Sequence, residues 1–140
     1  MDRRTGLALV AFCALASAAP RWNQSPGGES KRAKVSLYEV APGRQLDFLR
    51  WLAAREEAAK TAGVPPIQVY AHLEGDRWDY MVLWPVTTAE QDGKLDEAAR
   101  AKGLKTGFPA ALEFREMLAA HTDTLAEGPT TATALVALAK

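Results

Sequence analysis

The sequence predicts an α+β domain in which a four-stranded antiparallel sheet carries helices on one face. Segments rich in β-branched and aromatic residues are separated by segments whose apolar residues recur at helical spacing. The predicted order is β-α-β-β-α-α-β. Two of the strands meet at Gly75–Asp76, where a hairpin would make them antiparallel neighbours. This order is the split βαβ arrangement of ferredoxin-like folds.

The first strand and the first helix are predicted within residues 33–63. AKVSLYEV, Ala33 to Val40, alternates and contains β-branched and aromatic residues, which is typical of a strand. Pro42-Gly43 ends it. The next stretch carries a helical stripe of apolar residues, which comprises Leu46, Leu49, Leu52 and Ala53 and is widened by Phe48 and Trp51. Gly63 suits the position after the helix end, and Pro65-Pro66 prevents continuation.

The hairpin of strands two and three, Ile67–Glu74 and Arg77–Trp84, sets the predicted register. Gly75 at the first turn position is typical of a type II′ turn. If Glu74 pairs with Arg77, alternation produces an apolar face that we expect to pack on the helices. It comprises Ile67, Val69, Ala71, Leu73, Trp78, Tyr80, Val82 and Trp84. The opposite face is chemically mixed and comprises Gln68, Tyr70, His72, Asp79, Met81 and Leu83.

The second half of the chain predicts two helical stretches and a fourth strand. Thr88 and Gln91 have the spacing of a capping box at a helix start, although Gly93 weakens one continuous helix. FPAALEFREMLAA, residues 108–120, is the second helical stretch. HTDTLAEG, His121 to Gly128, predicts strand four because of its threonines and the Gly128-Pro129 stop. The last residues, 130–140, fit a helix or a strand.

The first residues predict an export signal. A basic start is followed by the apolar run LALVAFCALA and by Ala16-Ser17-Ala18, with small residues where signal peptidase cleaves. We therefore predict a signal peptide at 1–18, a flexible Gly-, Pro- and Ser-rich linker at 19–32, and a folded domain at 33–140. The expected location is periplasmic or secreted. A buried N-terminal helix is the alternative, and a lipoprotein is weaker because Phe12 is bulky just before Cys13.

Charge and cysteine content exclude several classes of function. Lys plus Arg and Asp plus Glu number 17 each among 140 residues, whereas nucleic-acid binding requires a clustered basic surface. No run of like charges indicates a membrane-binding face. Stable membrane insertion after signal cleavage is not expected. Cleavage after Ala18 would also remove Cys13, the only cysteine. Thiolate chemistry and Cys-ligated metals are therefore not expected in the mature protein.

The candidate site lies on the mixed face. His72 is predicted opposite Asp79, and a carboxylate beside a histidine fixes its tautomer and suits a general base. An ordinary cross-strand pair on a solvated or interfacial face is the alternative. We assign Val35 and Leu37 to the core, which puts Tyr38 on the mixed face. The further candidate ligand-binding residues are Tyr38, Gln68, Tyr70, Met81, His121 and Asp123. No metal site and no cofactor are predicted, because no tight ligand spacing such as His-x-x-x-His occurs.

The element order, the hairpin YAHLEGDRWDYMVLWPV and the late segment HTDTLAEGP resemble the dimeric α+β barrel superfamily. The NIPSNAP-like and antibiotic-biosynthesis-monooxygenase-like branches are the most similar, over about Lys34 to Pro129. The resemblance implies a homodimer through the sheet face, with a small hydrophobic ligand between the faces. The group includes cofactor-independent monooxygenases and heme-degrading oxygenases. Strand one lacks the Asn of the heme-degrading members, so their chemistry is not transferred.

Two functions follow as expectations. The first is an exported homodimer that binds a small hydrophobic or aromatic ligand without catalysis. The second is a cofactor-independent monooxygenase-like or isomerase-like enzyme that uses His72, Asp79 and the tyrosines. The sequence names neither the ligand nor the substrate.

Overall fold

The structure, a computed structural model, describes residues 31–139. The predicted signal peptide and residues 19–30 of the predicted linker lie outside the described residues. The described elements are β1 (Lys31–Val40), α1 (Gln45–Thr61), β2 (Gln68–Ala71), β3 (Tyr80–Pro85), α2 (Ala89–Ala101), α3 (Gly107–Arg115), β4 (Leu118–Gly128) and α4 (Ala132–Leu138). The strands form one antiparallel sheet in the order β2-β3-β1-β4. The predicted ferredoxin-like α+β fold is confirmed.

Local end signals place the first two helices close to their predicted positions. Gly63 follows the end of α1 with φ of +69°, a conformation that glycine adopts without a steric penalty. At the start of α2 the Thr88 hydroxyl accepts the Gln91 N–H at 3.2 Å, and the Gln91 side chain accepts the Thr88 N–H at 2.9 Å. This capping box satisfies two backbone donors, and α2 continues through Gly93.

The bounds of β1, α3 and β4 differ from the prediction. β1 begins at Lys31, two residues before the expected start. α3 ends at Arg115, and β4 already begins at Leu118 rather than at His121. The ambiguous tail contains the short helix α4. No helix among residues 31–139 combines the length and the apolar character needed to cross a membrane.

The predicted helical stripe on α1 is only partly correct. The buried residues of this helix are Phe48, Leu52 and Ala58. Leu46 and Leu49 are 57% and 38% exposed. The Phe48 ring contacts two aromatic rings of the sheet, and burial of a phenyl ring removes more apolar surface from water than burial of one leucine. The face of α1 that carries Phe48 therefore packs on the sheet.

The register of β2 and β3 is confirmed, but the tight turn is wrong. Gln68, Val69, Tyr70 and Ala71 lie opposite Leu83, Val82, Met81 and Tyr80, as predicted. The strands stop at Ala71 and resume at Tyr80, so residues 72–79 form a longer connection. Side chains supply hydrogen bonds in this connection. The Asp76 carboxylate accepts the Arg77 N–H at 2.7 Å, and the Arg77 guanidinium pairs with Glu39 of β1 rather than with Glu74.

One face of the sheet, which we call the covered face, packs on α1 and α3. β1 contributes Ser36, Tyr38 and Val40 to it, all buried, and β3 contributes Tyr80, Val82 and Trp84. Val35 and Leu37 point to the opposite face, which we call the open face, beside Leu83 and Met81. The prediction that Tyr38 lies on the mixed face is therefore wrong. Both sides of β1 mix apolar and polar residues, so alternation alone did not distinguish the two.

The core under the covered face is aromatic. The Tyr38 ring lies 5.2 Å from Phe48 and 5.5 Å from Phe114, measured between ring centroids, and Phe48 stacks on Tyr80 at 5.5 Å. Offset and edge-on aromatic pairs of this kind stabilise a core beyond the area they bury. A second, smaller cluster of alanines, Ala58, Ala98 and Ala99, joins α1 to α2.

Candidate ligand-binding cleft

A cleft of about 1180 Å³ opens between the covered face and the helices α1 and α3. Four aromatic side chains line it, Tyr38, Trp51, Trp84 and Phe114, together with Pro65 and Pro66. The cleft lies towards the Lys34 end of β1, because Lys34 and its β3 neighbour Trp84 both line it. Concave sites with aromatic walls and few polar groups are the usual form of small-molecule sites.

Small residues and one arginine hold the cleft open. α3 presents Ala110 and Ala111 to it, and these side chains leave volume that larger residues would fill. The Arg55 guanidinium of α1 donates a hydrogen bond to the Lys105 carbonyl in the connection before α3. This bond ties the α2–α3 connection to α1.

The wall formed by α1 carries a stacked pair. Arg55 lies over the Trp51 ring with its guanidinium carbon 4.9 Å from the centroid, and Trp51 in turn contacts Phe114 at 4.9 Å. Trp51 Nε1 and Arg55 Nε are both buried, and neither has a hydrogen-bond partner among residues 31–139. Burial lowers the pKa of the Arg55 guanidinium, and Glu113 and Asp96 oppose that shift. The pair is a rigid, cationic section of the wall.

A polar network runs along the covered face. The Trp84 indole N–H donates to the Tyr38 hydroxyl oxygen at 3.1 Å, which fixes the indole in the cleft. The buried Ser36 hydroxyl donates to Asp123 Oδ1 at 2.7 Å. Lys34 Nζ lies 3.9 Å from Asp123 Oδ2, and it lies 5.4 Å from the centre of the Trp84 ring. The network therefore places one acid and one base at the same end of an aromatic cleft.

Burial raises the pKa of the Tyr38 phenol above its ordinary value of 10.0. Hydrogen bonding with Ser36 and Trp84 opposes part of this shift, and the nearby Asp123 charge adds to it. Tyr38 is consequently a neutral phenol throughout the physiological pH range. It acts as a hydrogen-bonding group in the cleft, without a charge of its own.

The structure divides the predicted ligand-binding residues between the two faces of the sheet. Tyr38 and Asp123 line the cleft. His121 lies next to it, with its ring 6.3 Å from Tyr38 and 6.0 Å from Phe114. The remaining three, Gln68, Tyr70 and Met81, point to the open face, where the Tyr70 hydroxyl donates to the Gln68 side chain at 3.2 Å. The predicted set therefore does not form one site.

The predicted pair of His72 and Asp79 is joined through the backbone only. The His72 N–H donates to the Asp79 carbonyl at 2.8 Å, so the two residues are opposite each other as expected. The Asp79 carboxylate, however, accepts the Val40 N–H at 2.7 Å. The His72 ring packs against Trp78, with centroids 4.6 Å apart. Within the described chain no hydrogen bond or ion pair links the imidazole to the carboxylate.

Several residues of the cleft were not singled out from the sequence. They are the lining residues Lys34, Trp51, Arg55 and Trp84, and Ser36, which does not line the cleft, was missed as the hydrogen-bond partner of Asp123. Alternation along β1 places Lys34, Ser36 and Tyr38 on one face, and Trp51 and Arg55 have the i, i+4 spacing of neighbours on a helix. These signals were present. Among residues 31–139 no three His, Asp or Glu side chains converge closely enough to hold a metal ion.

No protein-family model matches the sequence, and no curated protein matches it significantly.

Proposed function

We propose that this protein binds a small hydrophobic or aromatic ligand in the cleft. The observation that supports this most is the cleft itself, about 1180 Å³ with four aromatic side chains on its surface. Drug-sized ligands occupy sites of about 300 to 1,000 Å³ that are lined by apolar residues and a few placed polar groups. Lys34, Asp123 and Tyr38 are such polar groups here.

This position differs from the one expected from the sequence, which was between the sheet faces of two subunits. The hollow at the open face, between Leu37, Thr122 and the loop residue Trp78, has a volume of about 160 Å³. In the single chain that space is smaller than the sites that drug-sized ligands occupy. The covered face offers the larger and more aromatic volume, so we place the ligand there.

We also propose that a second copy of the chain packs on the open face. The centre of this face is formed by Val35, Leu37, Met81 and Leu83, and these side chains stay partly exposed in the single chain. Contiguous apolar patches on a protein surface mark protein–protein contacts more often than isolated apolar residues do. The resemblance to dimeric α+β barrels points to the same arrangement. Export by residues 1–18 remains a proposal from sequence alone.

Binding without catalysis is the function that the geometry favours. The enzyme alternative depended on His72 and Asp79 acting together. The Asp79 carboxylate is already engaged by the Val40 N–H, and the His72 ring is packed on Trp78. The two side chains also lie at the Val40 end of β1, whereas the cleft extends towards Lys34.

A cleft-filling substitution tests the proposal. Ala111→Phe places a phenyl ring in the cleft from α3, so it should weaken binding of the neutral naphthalene fluorophore prodan by about tenfold or more, equivalent to about 1.4 kcal/mol. Prodan emission reports binding directly, because it shifts to the blue in apolar surroundings. Ala53→Phe is the matched control, since Ala53 is an exposed residue of α1 that does not line the cleft.

Saturable prodan binding that Ala111→Phe weakens and Ala53→Phe leaves unchanged supports the proposed site. Equal effects of the two substitutions would place the ligand elsewhere. Absence of saturable binding to the wild-type protein would end the proposal. Circular dichroism of each variant shows whether the fold is retained.

A further inference from the structure

The polar end of the cleft holds an acid and a base that do not satisfy each other. Lys34 Nζ and Asp123 Oδ2 are 3.9 Å apart, and direct hydrogen bonds of this type are about 2.7 to 2.9 Å long. Asp123 Oδ1 is already engaged by Ser36. Oδ2 and the ammonium group therefore both retain hydrogen-bonding capacity. Their side chains are 42% and 47% exposed, so a ligand can reach both.

The pair discriminates against charged ligand groups. A carboxylate that approached Lys34 would come close to the Asp123 carboxylate, and an ammonium group that approached Asp123 would come close to Lys34. Like charges about 4 Å apart repel each other, and more strongly at a partly buried site than in water. A neutral group avoids both repulsions. An oxygen atom about 2.8 Å from each of the two groups fits across the gap.

We propose that this end of the cleft binds a neutral polar group that donates to Asp123 and accepts from Lys34, namely a hydroxyl or a carboxamide, carried on an aromatic ring. This inference rests on the proposed ligand-binding function and specifies the ligand class. The ring lies beside Trp84, which the hydrogen bond to Tyr38 holds in place. Ser36 is a positioning residue, because it orients the carboxylate that receives the ligand's proton donor.

A panel with one ring system and four substituents tests this. Naphthylmethanol and naphthamide are the neutral probes, and naphthoate and naphthylmethylamine are the charged ones. Calorimetric titration of the purified protein at neutral pH should give affinities about tenfold or more higher for the neutral pair. Each charge-assisted hydrogen bond contributes enough for a difference of that size.

Two substitutions should change the probe affinities in a pattern that a purely structural role of Asp123 and Lys34 would not produce. Asp123→Asn should weaken naphthylmethanol binding and strengthen naphthoate binding, because it removes the repulsive carboxylate. Lys34→Met should weaken naphthylmethanol binding and strengthen naphthylmethylamine binding. Glu97→Gln and Lys102→Met are the matched controls. Both residues are exposed, and neither lines the cleft.

The outcomes separate this inference from the proposed function. If no naphthalene compound binds, the proposed function fails and this inference fails with it. If the compounds bind but a charged one binds tightest, or the crossed pattern is missing, the ligand class is wrong while the binding function stands. Neutral preference together with the crossed pattern supports the inference.

Discussion

Tyr38 is the residue at which the core and the cleft meet. Its ring packs between Phe48 of α1 and Phe114 of α3, and its hydroxyl accepts the hydrogen bond of the Trp84 indole. Ser36, two positions earlier on the same face of β1, is bonded to Asp123. One buried phenol thus links the aromatic core to the indole that lines the cleft. We therefore expect removal of the Tyr38 hydroxyl to affect stability first and ligand binding second.

Tyr38→Phe should lower the free energy of unfolding by about 1 kcal/mol at neutral pH. The ring is retained, so little packing changes, but the Trp84 N–H loses its acceptor. Urea unfolding measures the difference. Tyr70→Phe is the control, because Tyr70 is exposed on the open face. Equal destabilisation by the two substitutions would contradict the structural role given to the Tyr38 hydroxyl.

The same substitution should change how stability depends on pH. The folded state raises the pKa of Tyr38 above 10.0, mainly through burial. Above about pH 10 the unfolded chain therefore releases a proton that the folded chain keeps, and the free energy of unfolding falls as pH rises. Below that pH Tyr38 contributes no slope. Tyr38→Phe should make the alkaline decline shallower than in the wild type and in Tyr70→Phe, as measured by urea unfolding from about pH 9 to about pH 11.

At the scale of elements, Asp79 in the connection between β2 and β3 extends the hydrogen bonding of the hairpin to β1. The Asp79 N–H donates to the Tyr38 carbonyl at 2.7 Å, and its carboxylate accepts the Val40 N–H at 2.7 Å. The register between β1 and β4 shifts at Glu39/Val40. The Asp79 carboxylate satisfies a backbone donor at the same point of β1. The main role of Asp79 is therefore to hold the β2–β3 hairpin against β1.

Asp79→Ala should lower the free energy of unfolding by about 1.5 kcal/mol, the lower part of the range for a hydrogen bond to a charged group. Hydrogen exchange gives the specific readout, because the Val40 amide should lose protection while amides at the centre of β3 keep theirs. Asp76→Ala is the comparison, since within residues 31–139 the Asp76 carboxylate accepts just the adjacent Arg77 N–H, in an exposed loop. Unchanged protection at Val40 would show that the carboxylate does not hold this end of β1.

The elements were predictable where their signals are local. The capping box at Thr88, the glycine after α1 and the register of β2 with β3 depend on residues close together in the sequence, and all are confirmed. The predicted tight turn is absent: the Asp76 carboxylate accepts the Arg77 N–H, a backbone donor of the hairpin, and the Asp79 carboxylate accepts the Val40 N–H of β1. Short polar side chains often do so, and alternation alone does not show it.

The site was less predictable, because it depends on contacts between distant segments. Tyr38 and Asp123, two of the predicted ligand-binding residues, line the cleft, although Tyr38 was assigned to the other face of the sheet. Trp51 and Ala111 reach the cleft only through the packing of α1 and α3 on the sheet. Periodicity assigns a residue to one side of its own element, and it does not say which helix will cover that side.

At the scale of the whole molecule, the two faces of the sheet have different roles. The covered face supplies the aromatic core and the cleft, and the open face exposes an apolar centre formed by Val35, Leu37, Met81 and Leu83. A ligand in the cleft and a second copy on the open face would not compete, because the sheet separates them. Ligand affinity should therefore survive a change in oligomeric state.

Leu37→Lys tests that separation. Leu37 lies near the centre of the open face, opposite Met81 of β3 and Thr122 of β4, so two related copies would each bury an unpaired ammonium group there, which is costly. We expect sedimentation analysis to show a wild-type dimer and a monomeric variant at micromolar concentrations. Leu125→Lys is the matched control, because Leu125 is 63% exposed and follows Asp123 on the covered side of β4. A wild-type monomer, or a Leu37→Lys dimer, would exclude assembly through this face. Prodan affinity of the Leu37→Lys variant should stay within about threefold of the wild type, a difference of less than 1 kcal/mol, because its lysine lies on the opposite side of the sheet from the cleft.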